Sequence, residues 1–84
     1  MRVELHSLVR AVATGYRPHW RIGKIETTGT ITLEARVELA PGERGFARLE
    51  PIEPAYWTGV RVGDELAMCE GSRVLGYARV VEIF

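Results

Sequence analysis

Residues 16 to 21 interleave aromatic and basic side chains, which is a combination that can bind nucleic acid. Tyr16 and Trp20 could stack on bases or riboses, and the cationic side chains could contact phosphates; these are Arg17, His19 and Arg21. The alternative is structural, because a small β domain needs large aromatic side chains in its core. In that interpretation Trp20 is a core residue and Tyr16 packs in a turn.

A second aromatic pair, Tyr56 and Trp57, lies between Pro54 and Gly59. Two interpretations are open for this pair. The rings could form an exposed contact patch for a partner protein, or they could plug one end of a small β-barrel.

The residue types that serve enzymes do not form a recognised catalytic or metal-binding pattern here. His6 and His19 are far apart in the chain, and the sole cysteine, Cys69, lies far downstream. A single cysteine forms no internal disulfide, and we expect it to be a buried thiol. No phosphate-binding G-x-x-x-x-G-K-[ST] motif occurs. The sequence therefore predicts a protein that is not an enzyme and has no cofactor or metal.

Length and charge limit the classes of partner. The 84 residues suffice for one small domain, residues 1–84, and the 11 basic side chains balance the 11 acidic ones. A net charge of zero provides no overall field toward nucleic acid or membranes. The basic side chains are nevertheless concentrated before residue 30, and the acidic ones follow. Without an apolar run of membrane-spanning or signal-peptide type, we expect no membrane association and a cytoplasmic location.

The elements that must position these side chains are strands. From Thr30 to Leu39 apolar and polar residues alternate strictly, which predicts one half-buried strand or two short strands end to end. The segment beginning at Val3 fits a strand better than a helix. Further strands are predicted from Trp20, over 46–50, over 64–69 and over 73–84, where the last strand is expected to be buried on both faces in part.

Turn signals separate these strands. They occur at Gly15, at Thr28-Gly29, at Pro41-Gly42 and at Gly71, and residues 51–63 form the longest irregular stretch. The hairpin at Gly71 joins the last two strands. About six short strands without a convincing helix predict an all-β barrel or sandwich.

Four motifs resemble the third, C-terminal domain of the elongation factor Tu family. Residues 14–20 (TGYRPHW) resemble that family's SGYRPQF, residues 26–31 (ETTGTI) resemble DVTGTI, residues 41–43 (PGE) resemble PGD, and residues 70–78 (EGSRVLGYA) resemble EGGRTVGAG. The motifs keep their order and approximate spacing over most of the chain. The resemblance implies a small closed, mainly antiparallel six-stranded β-barrel.

The resemblance also implies a binding face rather than GTP hydrolysis, because the family's GTPase domain does not fit into this chain. In the family, this domain contacts the T stem of tRNA and docks protein partners. The family positions on the RNA side correspond here to His19, Thr28, Gly71 and Arg73. A basic loop of the family is shortened here, and residues 50–54 are acidic where the family has another basic contact.

We therefore expect a non-catalytic binding module with two candidate partners. The first is a protein partner of unknown identity, contacted through Tyr56 and Trp57. The alternative is tRNA or another structured RNA, bound weakly. The candidate RNA-binding residues are Tyr16, Arg17, His19, Arg21, Thr28, Gly71 and Arg73.

Overall fold

A computed structural model describes all residues from Met1 to Phe84 and contains eight strands and one short 3₁₀ helix. The strands are β1 (Arg2–His6), β2 (Val12–Ala13), β3 (His19–Ile22), β4 (Ile25–Leu33), β5 (Glu38–Leu39), β6 (Gly45–Pro51), β7 (Glu65–Glu70) and β8 (Arg73–Glu82). The helix spans Pro54–Trp57. The predicted all-β class is confirmed.

Six of these strands form a closed barrel in the order β1-β6-β4-β3-β7-β8, and β8 pairs with β1 to close it. Every neighbouring pair is antiparallel. The expected closed six-stranded antiparallel barrel is therefore confirmed, and closure leaves none of these six strands as a free edge.

The alternating segment from Thr30 to Leu39 is not one continuous strand. β4 ends at Leu33, Ala35 adopts a positive φ of 58°, and β5 pairs with β2 in a separate two-stranded sheet. Leu33 and Leu39 are buried as the alternation predicts, but Val37 is 80% exposed. The prediction for Val37 is wrong because the chain leaves the barrel at the left-handed backbone of Ala35.

The predicted turn at Gly29 is also wrong. Gly29 lies inside β4, and the hairpin that precedes it turns at Gly23, whose φ is 61°. A Cβ atom on Gly29 would lie 2.8 Å from Cδ1 of Leu49 and 3.2 Å from the Trp20 ring. Glycine is needed at this position for close packing rather than for a reversal of the chain.

One end of the barrel, which we name the covered end, is closed by the segments that follow β1 and β4. These segments contain the β2–β5 sheet and bury Leu8, Val12 and Leu39 in the hydrophobic core. The Pro41-Gly42 turn occurs there as predicted, with a hydrogen bond from the Glu43 amide to the Ala40 carbonyl. The β2–β5 sheet therefore completes the core instead of extending the barrel.

The opposite end, which we name the plug end, is closed by the segment between β6 and β7. Trp57 of the 3₁₀ helix is 5% exposed and its ring meets that of Trp20 edge to face, with centroids 6.5 Å apart. Ile83 and Phe84 were predicted to belong to the last strand but lie beyond the end of β8, 46% and 72% exposed. The last two residues are therefore surface residues at this end.

Candidate binding surfaces

Both tryptophans are core residues. Trp20 is fully buried, and its Nε1 donates a hydrogen bond of 3.1 Å to the Gly29 carbonyl. The burial of Trp57 corrects the expectation that its ring contacts a partner and favours the plug interpretation. Only Tyr56, at 45% exposure, is accessible in that pair. The Nε1 of Trp57 is buried without a hydrogen-bond partner.

Tyr16 is tied into a surface cluster instead of offering a free ring. Its hydroxyl donates to Oε2 of Glu70 at 2.9 Å, and Nη2 of Arg10 donates to the same carboxylate and to the Tyr16 hydroxyl. Burial and the hydrogen bond to Glu70 both raise the pKa of Tyr16. The Tyr16 ring also packs against the core. This side chain joins the loop before β3 to the end of β7 and so fixes that loop against the barrel.

The basic side chains divide into paired and unpaired sets. Of the 11 lysines and arginines, five arginines form ion pairs, each with a glutamate. The six that form none are Arg17, Arg21, Lys24, Arg48, Arg61 and Arg73. Four of these six lie on or beside β3 and the β7–β8 turn. We name these four residues, together with His19, the basic wall.

The register of β3 explains why the basic wall faces solvent. Trp20 points into the barrel, so His19 and Arg21 on either side of it point outward. His19 lies opposite Thr28 on β4 and opposite Cys69 on β7, whose next residues form the turn at Gly71. The structure thus brings most of the sequence-predicted RNA-binding residues to one side of the barrel; they are Arg17, His19, Arg21, Thr28, Gly71 and Arg73.

Gly71 occupies the turn as predicted, with a φ of 60° and no heavy atom within 4 Å of the place where a Cβ would lie. Its backbone is open to a ligand on this side. Glu26 on β4 is the register partner of Arg21 but forms no ion pair with it. The acidic neighbour Glu70 is ion-paired with Arg10 and accepts a hydrogen bond from Tyr16, and both contacts lower the pKa of its carboxyl group.

Exposed apolar side chains gather at the plug end, and only Tyr56 among them was predicted to be a contact residue. Six of the ten large exposed hydrophobic residues lie on the segments that border this end. We name them the apolar rim: Ile25, Ile52, Tyr56, Val62, Ile83 and Phe84. The sequence signal covered half of them, because Ile52, Tyr56 and Val62 lie within the predicted irregular stretch 51–63.

The remaining wall of the barrel is occupied by internal contacts. Nε2 of His6 lies 2.8 Å from Oε2 of Glu65, and Nδ1 lies 3.0 Å from the Ser7 hydroxyl. The His6 ring also stacks on Tyr77. This network crosses three adjacent strands, and its members are too distant in the chain for the sequence to predict it. No group of three or more His, Cys, Asp or Glu side chains is arranged to hold a metal ion.

No protein-family model matches this sequence. No helix in the structure has the length and apolar character needed to cross a membrane.

Proposed function

We propose that this protein is a non-catalytic binding module whose apolar rim docks a partner protein. The observation that carries the proposal is the concentration of six exposed apolar side chains at one end of the barrel. Burying a large apolar side chain contributes about 1.5–3 kcal/mol. Several such residues around one end can offset the loss of rotational and translational freedom on association.

The proposal is consistent with the resemblance to the C-terminal domain of elongation factor Tu, which docks protein partners in its own family. The buried Trp57 supports the rim from below, because its ring anchors the helix that carries Tyr56. The role of Trp57 in binding is therefore to hold the rim in shape.

Site-specific photo-crosslinking in the source cells tests this proposal. A photoreactive phenylalanine at position 56 should give a discrete crosslinked partner, and Ile52→Glu in the same chain should abolish it. Val37 provides the matched control, because it is exposed and apolar but lies on the covered end. Equal products from positions 56 and 37, or none from position 56, would overturn the proposal.

A second candidate function is weak binding of structured RNA by the basic wall. It is favoured by the position of four of the six unpaired cationic side chains on one side of a protein whose net charge is zero. Neither Trp20 nor Tyr16 is free to stack on bases, so binding would depend on phosphate and ribose contacts. Such binding weakens steeply as salt rises.

Fluorescence anisotropy of labelled total tRNA in about 50 mM salt tests the RNA candidate. Arg17→Gln and Arg73→Gln should each weaken binding. Arg48→Gln should not, since Arg48 is an unpaired arginine on another wall, stacked over Phe84. Two or three phosphate contacts predict a log–log salt slope of about −2 to −3. Absence of binding at this salt concentration would reject the candidate.

A further inference from the structure

Strand β1 ends in a strained turn at Ser7. Ser7 has a positive φ of 55°, and Ala35 is the only other non-glycine residue with positive φ in the chain. Backbone strain of this kind often occurs at functional sites. Ser7 is exposed, whereas the next residue, Leu8, is buried in the core. The turn therefore presents the Ser7 side chain at the surface while the chain continues into the interior.

The turn is made possible by Gly76 on β8. A Cβ atom at Gly76 would lie 2.7 Å from Cδ2 of Leu8 and 3.2 Å from the carbonyl oxygen of His6. Glycine lets the two segments approach this closely. The amides of Ser7 and Leu8 donate no hydrogen bond to another main-chain atom. Amides beside a nucleophile are the groups that can stabilise the oxyanion of an acyl transfer.

The hydroxyl of Ser7 lies beside a base that a third side chain orients. Nδ1 of His6 lies 3.0 Å from Oγ of Ser7, and Nε2 of His6 lies 2.8 Å from Oε2 of Glu65. Both distances fall within the range in which a base activates a nucleophile and is itself held by a partner. Ser7, His6 and Glu65 therefore have the order of nucleophile, base and positioning group.

Glu65 determines which nitrogen of His6 can take up a proton. Although burial raises the pKa of Glu65, the hydrogen bonds with His6 and Arg79 lower it below its usual 4.5. An ionised carboxylate only accepts hydrogen bonds, so Nε2 of the neutral ring carries the hydrogen. Nδ1 is then the acceptor for the Ser7 hydroxyl. Tyr77 stacks on the same ring, with centroids 6.0 Å apart, and helps to fix its orientation.

We propose that Ser7 is a covalent modification site that takes an acyl group from an activated ester. Oγ of Ser7 attacks the carbonyl carbon while Nδ1 of His6 removes the hydroxyl proton. The bond between that carbon and the leaving group then breaks, and the proton passes from Nδ1 to the departing anion. The products are acylated Ser7 and the free alcohol or thiol of the donor.

The acyl group is expected to remain on Ser7. The donor loses a stable anion, whereas an ester of serine would have to expel a much more basic alkoxide, so the second transfer to water is slower than the first. Neither Ser7 nor His6 lines the cavity of the structure. An open surface of this kind does not enclose the oxyanion that the second step would form. The reaction is therefore stoichiometric.

This inference goes beyond the proposed function and does not depend on it. Ser7 follows β1 and lies at the covered end, whereas the apolar rim surrounds the plug end. Loss of the Ser7 hydroxyl should therefore leave the crosslink from position 56 unchanged, and loss of that crosslink says nothing about Ser7.

Reaction with p-nitrophenyl acetate tests the inference. The chain contains two serines and two histidines, so Ser72 and His19 serve as internal controls. The wild-type protein should release p-nitrophenolate in a burst of about one equivalent per chain. Mass spectrometry of the digested protein should place the acetyl group on Ser7 and not on Ser72.

Variants at Ser7 and His6 separate this chemistry from general surface reactivity. Ser7→Gly should abolish the burst, and glycine suits the positive φ at this position. His6→Gln should slow the burst at least about tenfold, because the base is lost. His19→Gln is the matched control and should react as the wild type does. Circular dichroism shows that the variants are folded.

Glu65→Gln tests the positioning role of the carboxylate. The amide can donate to Nε2 of His6 and so move the ring hydrogen to Nδ1, which should slow acetylation. NMR of the ring nitrogens of His6 should show the hydrogen on Nε2 in the wild type and lose this preference in the variant.

Four results would each overturn the inference. They are a burst that Ser7→Gly retains, acetylation of Ser72 as fast as that of Ser7, equal rates in His6→Gln and His19→Gln, and a wild-type His6 that carries its hydrogen on Nδ1. Release of p-nitrophenolate that continues in proportion to time after the burst would contradict the stoichiometric reaction.

Discussion

The indole of Trp20 packs against the bare backbone of Gly29, and its Nε1 donates to the carbonyl of the same residue. One side chain thus fills the barrel and also satisfies its own polar atom. The second tryptophan is different, because Nε1 of Trp57 has no partner. A buried unsatisfied donor costs about 1–3 kcal/mol, and the Trp57 side chain is held by apolar packing alone.

Gly29→Ala should destabilise the protein by about 1–3 kcal/mol, because the new methyl group would overlap Leu49 and press on the Trp20 ring. Gly59→Ala is the matched control, since a Cβ there meets no atom within 4 Å. Urea unfolding followed by circular dichroism compares the two. Equal stability of both variants would show that the interior accommodates the methyl group at position 29.

Glu70→Gln should reduce stability near neutral pH and have little effect in acid. The Arg10 guanidinium, and then the Tyr16 hydroxyl, lower the pKa of Glu70 below its usual 4.5. A carboxyl group with a lowered pKa in the folded state stabilises the protein above the unfolded-state pKa, and this contribution disappears as pH falls through the folded-state pKa.

Urea unfolding of wild type and Glu70→Gln at pH 7 and below pH 4 measures this difference. The gap between the two proteins should narrow in acid. A gap that stays constant with pH would assign the effect to packing rather than to charge. Glu38→Gln is a useful control, because Glu38 forms no ion pair.

At the scale of elements, the departure of the chain at Ala35 decides what closes the covered end. Because β5 leaves the barrel, Leu39 can pack over the open core, where it also approaches the backbone of Gly45 closely enough to exclude a Cβ atom. Val37, two residues earlier, belongs to no strand and is exposed. The same alternating pattern thus yields two different environments.

Leu39→Ala should cost about 2–5 kcal/mol, because it removes a fully buried side chain and leaves a cavity. Val37→Ala should change the free energy of unfolding by less than about 0.5 kcal/mol, since its side chain is exposed. Thermal or urea unfolding of the two single variants measures the contrast. Similar losses of unfolding free energy from both would mean that Val37 is buried like Leu39, as a continuous strand would require.

Sequence patterns predicted the structural features that depend on residues adjacent in the chain. Alternation located the buried positions Ile31, Leu33 and Leu39, and glycine located the turn at Gly71. The break at Ala35 could not be predicted, because alanine with positive φ has no sequence signature. The role of Gly29 was missed for a related reason, since only the packed barrel shows that Trp20 and Leu49 approach it.

The candidate surfaces were less accessible to prediction than the fold. Whether an arginine is free depends on partners far away in the chain, as with Arg10 and Glu70. The sequence shows a basic first third but does not show which of its cations are already paired. The end of the β3–β7 ladder at Arg21↔Ala67 is likewise a property of the closed barrel.

At the scale of the whole molecule, the surface divides into regions of different character around one core. The basic wall lies along β3, the apolar rim surrounds the plug end, and internally paired charges cover the wall formed by β1 and β8. A protein of zero net charge can therefore still present distinct surfaces to distinct partners.

The rate at which the Cys69 thiol is labelled measures local or global unfolding of the barrel. The thiol is fully buried on β7 opposite His19, at one end of the ladder between β3 and β7. We expect a thiol reagent to label it only as fast as the whole barrel unfolds, with rapid labelling in urea. Labelling that is much faster than global unfolding, measured under the same conditions by circular dichroism, would show that β3 and β7 separate before the rest of the barrel unfolds.

The first strand, β1, pairs only with strands that are far away in the chain. β1 pairs with β6 on one side and with β8 on the other, and it has no partner among the strands that directly follow it. In a chain synthesised from its amino end, β1 is made before both of its partners and cannot complete its pairing until β8 has been made. Its apolar residues Val3 and Leu5 must remain exposed meanwhile, so folding should be slow for so small a protein, with the nascent chain open to chaperones or aggregation.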